Sequence, residues 1–252
     1  MTRPTTATPV STPRRWAVAV GFALVPVVFT AAGAAIAQIM ELSDVSASLV
    51  LAATTALSAA IGVLGLSLRG GLRAGGLRAP RRLREALWLL PALAVVLIVI
   101  ATQPPTASPS LWLASAVLLA AVAANEEVWF RGNVLSVLRP LGAGVAIGGS
   151  TLLFAVLHLA NLAGGESIPA TVLQVAFAAV FGLVAAQLVV LTGSLWPGIV
   201  WHAVWNFANV IGGNLTTPWA LTGIGVAIVV LIMYSLLLAR RIAAPTASEA
   251  RG

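Results

Sequence analysis

Apolar residues in this chain neither alternate nor recur on one helical stripe; they run on almost unbroken. Eight such stretches, each roughly 18 to 24 residues long, fall at about 16–38, 47–68, 85–102, 111–131, 142–161, 168–191, 195–212 and 218–239. A helix rising 1.5 Å per residue needs about 20 apolar residues to cross the ~30 Å hydrocarbon core of a bilayer. Backbone polar groups have no water to bond in that layer, so each run is expected to be a helix. The pattern predicts an all-α, polytopic integral membrane protein with about eight transmembrane helices. The fourth run is expected to continue as an amphipathic helix to Arg139. The Thr- and Pro-rich segment 1–15 and the segment 243–252 are expected to be disordered tails on one membrane domain, 16–242. The first run is too long for a signal-peptide core and is expected to remain as a helix. No internal repeat is visible.

Composition narrows the class further. Of the 252 residues 60% are hydrophobic and only 8% charged, against about 25% charged in an ordinary soluble domain. The net charge of +7 comes from arginine alone, since the chain has no lysine. Those arginines stand between the apolar runs. Arg3, Arg14 and Arg15 precede the first run, and Arg69, Arg73, Arg78, Arg81, Arg82 and Arg84 lie at the connection between the second and third. Arg131 and Arg139 follow the fourth, and Arg240 and Arg241 close the eighth. All four groups fall on one side if the runs cross alternately, while the connection 103–110 carries none. This bias predicts a multi-pass protein of the cell membrane with both termini in the cytoplasm. The basic connection also contains Gly70, Gly71, Gly75, Gly76 and Pro80, so it is expected to be irregular and to touch anionic lipid head groups. Membrane lipid, not nucleic acid, is the partner this charge implies.

A charge inside an apolar run costs about 2.5–3.5 kcal/mol on insertion scales and needs a reason to be there. Among the acids only Glu126 and Glu127 sit in such a position, and the chain's two histidines, His158 and His202, are both within runs. With no cysteine, disulfides, thiolate metal sites and cysteine nucleophiles are excluded. In the stretch 125–132, Asn-Glu-Glu-Val-Trp-Phe-Arg-Gly, Glu127 and Arg131 are four apart and share a helix face, whereas Glu126 is turned about 100° away and free to face a cavity. Phe154 and His158 share a face in the same way. So do His202 and Asn206, both able to donate hydrogen bonds to a developing negative oxygen. Taken singly, each cluster is also what a structural ion pair or a helix-packing contact would look like.

Depth brings two of the clusters together. From a turn near Pro140–Gly142, Glu126 is about 14 residues back and His158 about 17 onward, roughly 21 and 26 Å along two antiparallel helices. His202 is only about 13 Å from the turn Thr192–Ser194, which agrees only if that turn is recessed in the membrane or the helices tilt.

In this order, Glu-Glu-x-x-x-Arg, Phe-x-x-x-His and His-x-x-x-Asn resemble the CPBP family, the CAAX-prenyl-protease-like and bacteriocin-processing (Abi-like) membrane proteases. Phe130-Arg131-Gly132 and Thr192-Gly193-Ser194-Leu195-Trp196-Pro197 resemble it too, and the resemblance covers about 111–212. It implies an intramembrane endopeptidase in which Glu126 and His158 activate a water for attack on a peptide carbonyl. His202 and Asn206 would form the oxyanion hole, with Glu127 and Arg131 in support. The substrate would be a membrane-associated protein or peptide; a prenyl group is not required of it. The family is often labelled metalloprotease. Glu126, His158 and His202 are the residues that would hold Zn²⁺ with one open position, and a metal-free glutamate mechanism uses the same side chains.

Other protease chemistries fit less well. There is no His-Glu-x-x-His and no Asp within a run. Gly148-Gly149-Ser150 reads as a helix-packing face rather than a nucleophile motif. From other classes, a proton-coupled transporter or a non-catalytic peptide-binding immunity or scaffold protein would keep a similar polar cluster.

Overall fold

The computed structural model describes residues 11–103, 108–212 and 217–243, and among them there is no strand. The helices are α1 (Thr12–Ile39), α2 (Asp44–Arg69), α3 (Leu90–Thr102), α4 (Pro109–Glu126), α5 (Leu135–Leu138), α6 (Ala143–Leu157), α7 (Ile168–Thr192), α8 (Trp196–Gly212) and α9 (Pro218–Ala243). A 3₁₀ turn, Leu83–Leu89, leads into α3. A π-helical stretch, Glu127–Val134, joins α4 to α5, so the fourth rod runs on past the apolar residues to Leu141 as expected. The eight rods correspond to the eight apolar runs. Seven are long and apolar enough to cross a membrane; α8, at 17 residues, is shorter. Helix α1 begins at Thr12, ahead of the expected start. Of the expected tails, residues 1–10 and 244–252 lie outside the described residues.

The distribution of polarity is the reverse of a soluble protein's. Leu24, Val28, Leu57, Leu64, Leu97, Leu113, Leu152, Val172, Val229 and Leu236 are exposed on the outside of the bundle, while Glu127, Arg131, Asn133, Thr55, Ser58 and His202 are buried within it. Lipid tails are as apolar as leucine, so packing and interhelical hydrogen bonds must join the rods. Small residues let the backbones approach. A side chain at Gly62 on α2 would run into Val128 and Trp129, and one at Gly223 on α9 would run into Thr102 on α3. Trp129 Nε1 donates to the Ser58 carbonyl oxygen at 3.1 Å, and Gln187 Nε2 on α7 donates to the Ser235 carbonyl oxygen on α9 at 3.2 Å. Helix α2 packs between α1 and α4, α6 lies along α7, and α8 is wedged among α3, α4 and α7.

The turn at Thr192–Ser194 is buried within the protein. Gly193 takes a left-handed conformation (φ +63°) at the end of α7, and Thr192, Ser194 and Leu195 are fully buried. Their cover is the arginine-rich connection. Leu195 N donates to Gly76 O at 2.8 Å, and Arg78 Nε donates to Gly193 O at 2.9 Å. The connection is therefore also a packing element: residues 76–81 lie over the α7–α8 turn and tie it down by hydrogen bonds.

Candidate active site

Three helix segments deliver the polar side chains. Glu126 is the last residue of α4, and Glu127 and Arg131 belong to the π-helical stretch that follows. Phe154 lies near the end of α6 and His158 at the start of the 3₁₀ turn after it, while His202 and Asn206 are on α8.

Glu127 is the centre of a buried relay. Its Oε1 accepts from Arg131 Nη1 at 3.1 Å, both side chains being fully buried. The same oxygen lies 3.0 Å from His202 Nδ1. A carboxylate only accepts, so His202 donates its Nδ1 proton there, and its Nε2 faces the other way. That second nitrogen is 3.5 Å from Glu126 Oε2. The two adjacent glutamates thus contact opposite edges of one imidazole. They also differ in access to water: Glu127 is 0% exposed and Glu126 24%.

Phe154 organises the remainder. The Arg131 guanidinium lies 4.1 Å over its ring, a placement in which the ring quadrupole attracts the cation. Its edge meets the rings of His158 at 4.8 Å and His202 at 6.0 Å. The His158 ring is fixed by Nδ1 against the Phe154 carbonyl oxygen, 2.8 Å away; this nitrogen donates as well, which leaves Nε2 unencumbered. His158, His202 and Asn206 line one cleft of about 70 Å³ together with Phe154, Gln174 and Trp205. That space is large enough to admit water. Sequence reasoning thus named a set that the fold brings together: His158, His202 and Asn206 on the cleft, Glu126 against His202, and Glu127, Arg131 and Phe154 behind them.

Other contributors went unnoticed in the sequence. Asn133, fully buried, donates to Gly62 O at 3.2 Å and to Val128 O at 2.9 Å and accepts from Arg69; it ties the π-helical stretch to α2. Leu135 N donates to Phe130 O five residues back, the spacing of a π turn, a form that frequently occurs at functional sites. Gly198 is the residue that admits Glu127, since a Cβ there would stand 2.9 Å from Oε2. Gly182 likewise admits Arg131, whose Nη2 would be 3.0 Å from an added Cβ. The single polar block 125–133 was the available signal for Asn133; nothing local marks the two glycines.

The zinc alternative required Glu126, His158 and His202 around one point. Among the described residues no group of three or more His, Asp or Glu side chains is placed to hold a metal ion. The three-ligand set that the sequence allowed is not assembled, and no step is derived through a metal. Ser150 is not poised as a nucleophile either: it is buried, and its hydroxyl donates to Phe130 O at 2.9 Å.

Residues 107–208 match the model of a family described as type II CAAX prenyl endopeptidase, Rce1-like. That interval contains every side chain of the cluster. No curated protein matches the chain.

Proposed function

From the match of residues 107–208 to the Rce1-like family of type II CAAX prenyl endopeptidases, we propose that this chain is an intramembrane endopeptidase with Glu126 as general base. The observation that carries the reading is the division of labour between two neighbouring carboxylates. Glu127, sealed from water, holds Arg131 and His202; Glu126, partly exposed, is the one that water reaches.

In this reading Glu126 takes a proton from a water that His158 Nε2 helps to orient, and the hydroxide oxygen attacks the peptide carbonyl carbon. The carbonyl oxygen becomes an oxyanion that accepts hydrogen bonds from Asn206 Nδ2–H and from His202 Nε2–H. With its Nδ1–H donating to Glu127, His202 needs a proton on Nε2 as well to make the second bond. Collapse of the intermediate breaks the C–N bond, and Glu126 returns its proton to the leaving amine. Donors fixed in a dry site are worth far more than in water, and the Glu127–His202 and Phe154 contacts do the fixing.

The substrate is a membrane-associated protein or peptide, met by a site inside the bundle of a multi-pass membrane protein. The arginine bias supports a cell membrane location with both termini cytoplasmic.

Purified chain and its Glu126→Ala variant, offered a library of lipidated and unlipidated membrane peptides, test the proposal. Wild type should cut a peptide and the variant should not, with the variant's helicity and thermal unfolding unchanged. A wild type that cuts nothing, while the same substitution alters proton flux into vesicles, would refute it.

A further inference from the structure

We propose that the arginine-rich end of the bundle holds a built site for a phosphate-bearing anion, separate from the cleft of His202 and Asn206. Its basis is a cavity of about 490 Å³ lined by Arg73, Arg78, Arg81, Arg131 and Arg139, with no acidic side chain on its walls. Small-molecule sites typically occupy ~300–1,000 Å³. Five arginines line it, and among the described residues none of Arg73, Arg78, Arg81 and Arg139 forms an ion pair with a carboxylate.

Three features separate this from a diffuse basic surface. The first is Arg131, which is 1% exposed. It spends only Nη1 on Glu127, and its Nε and Nη2 are buried without a hydrogen-bond partner. Leaving such donors unmade is costly, and Arg131 is among the residues on the cavity wall. The second is that the wall is constructed. Gly75 and Gly76 are buried, Gly76 has φ +91°, and Leu195 N and Arg81 N bond the connection to the α7–α8 turn. The third is the contrast in charge: one carboxylate would neutralise one guanidinium, whereas a phosphate accepts several planar, bidentate pairs at once.

Two sources present this chemistry at the arginine-rich end, an anionic lipid head group and a soluble phosphate. The site stands independently of the protease reading, because its test measures binding and not cleavage. Full-length protein in neutral detergent is titrated by calorimetry with short-chain phosphatidylglycerol and, separately, with inorganic pyrophosphate. The cavity variant is Arg73→Gln/Arg139→Gln, two exposed positions at the rim. The control is Arg14→Gln/Arg240→Gln, which removes the same charge from exposed sites off the cavity. Saturable binding of one anion per chain is expected, weakened at least about tenfold in the cavity variant and less than about twofold in the control. Saturation by the lipid, alone or in competition with pyrophosphate, assigns a head group; saturation by pyrophosphate alone assigns a soluble phosphate. Absence of saturable binding by both probes, or equal weakening in both variants, overturns the proposal.

Discussion

Replacing Glu127 by glutamine removes one negative charge from a site where two cationic donors depend on it. Arg131 Nη1 stands 3.1 Å from Oε1, and at that distance two unit charges interact by about 5 kcal/mol with an effective dielectric constant of ~20. The amide oxygen still accepts one hydrogen bond, so not all of this is lost. The larger effect is a guanidinium left buried without a counter-charge, which typically costs about 3–5 kcal/mol. Glu127→Gln should therefore unfold about 3–5 kcal/mol more easily, measured by reversible unfolding in mixed micelles and read by tryptophan fluorescence. It should also cleave peptide about 10²–10³-fold more slowly, because His202 loses the group that holds its Nδ1 proton. Adding Arg131→Met to the same chain separates the two effects. With the orphaned charge gone, stability should return to within about 1–2 kcal/mol of wild type. Cleavage should stay low, because His202 still lacks its carboxylate. A Glu127→Gln protein as stable as wild type, or a double variant recovering activity along with stability, would refute the assignment of Glu127 as the anchor of both partners.

Three further outcomes follow from the same geometry. Asn206→Ala should lower kcat by about 10²–10³-fold with little change in KM, the signature of a bond made only in the transition state, checked by steady-state cleavage of a fluorogenic peptide. Ser150→Ala should retain full cleavage and cost about 1 kcal/mol of stability, since the buried hydroxyl is held by its bond to Phe130 O; an inactive, folded variant would revive a serine mechanism. Exhaustive removal of metal with a chelator should leave cleavage intact, confirmed by elemental analysis of the treated protein; activity lost and then restored by Zn²⁺ alone would contradict the glutamate mechanism.

The candidate site was readable to the extent that it is local. Spacing of four along a helix pairs Glu127 with Arg131, Phe154 with His158 and His202 with Asn206 before any coordinates are known, and the 3.1 Å ion pair and 4.8 Å ring contact agree. Depth counting placed Glu126 and His158 at similar levels, and both belong to the assembled cluster. It failed to explain His202, because counting residues presumes that every turn lies at the membrane surface. The turn at Gly193 is instead covered by Gly76–Arg81, a contact between segments more than a hundred residues apart that no local pattern encodes. The same connection looked like a plain topology signal because charge composition does not reveal hydrogen bonding.

The sequence by itself determined the class and the inventory. Long apolar runs must be helices in a medium that cannot bond to the backbone, and the few ionisable residues placed within them are the candidates for chemistry. Tertiary structure alone decided how those residues are used. It set Glu127 on Nδ1 of His202 and Glu126 toward Nε2, and it kept the possible zinc ligands from sharing one centre. It also gathered arginines from a loop and from the fourth rod around one cavity. Each of these depends on distances between helices far apart in sequence. Such distances are set by which small residues, Gly62, Gly182 and Gly198 among them, let particular backbones and side chains meet.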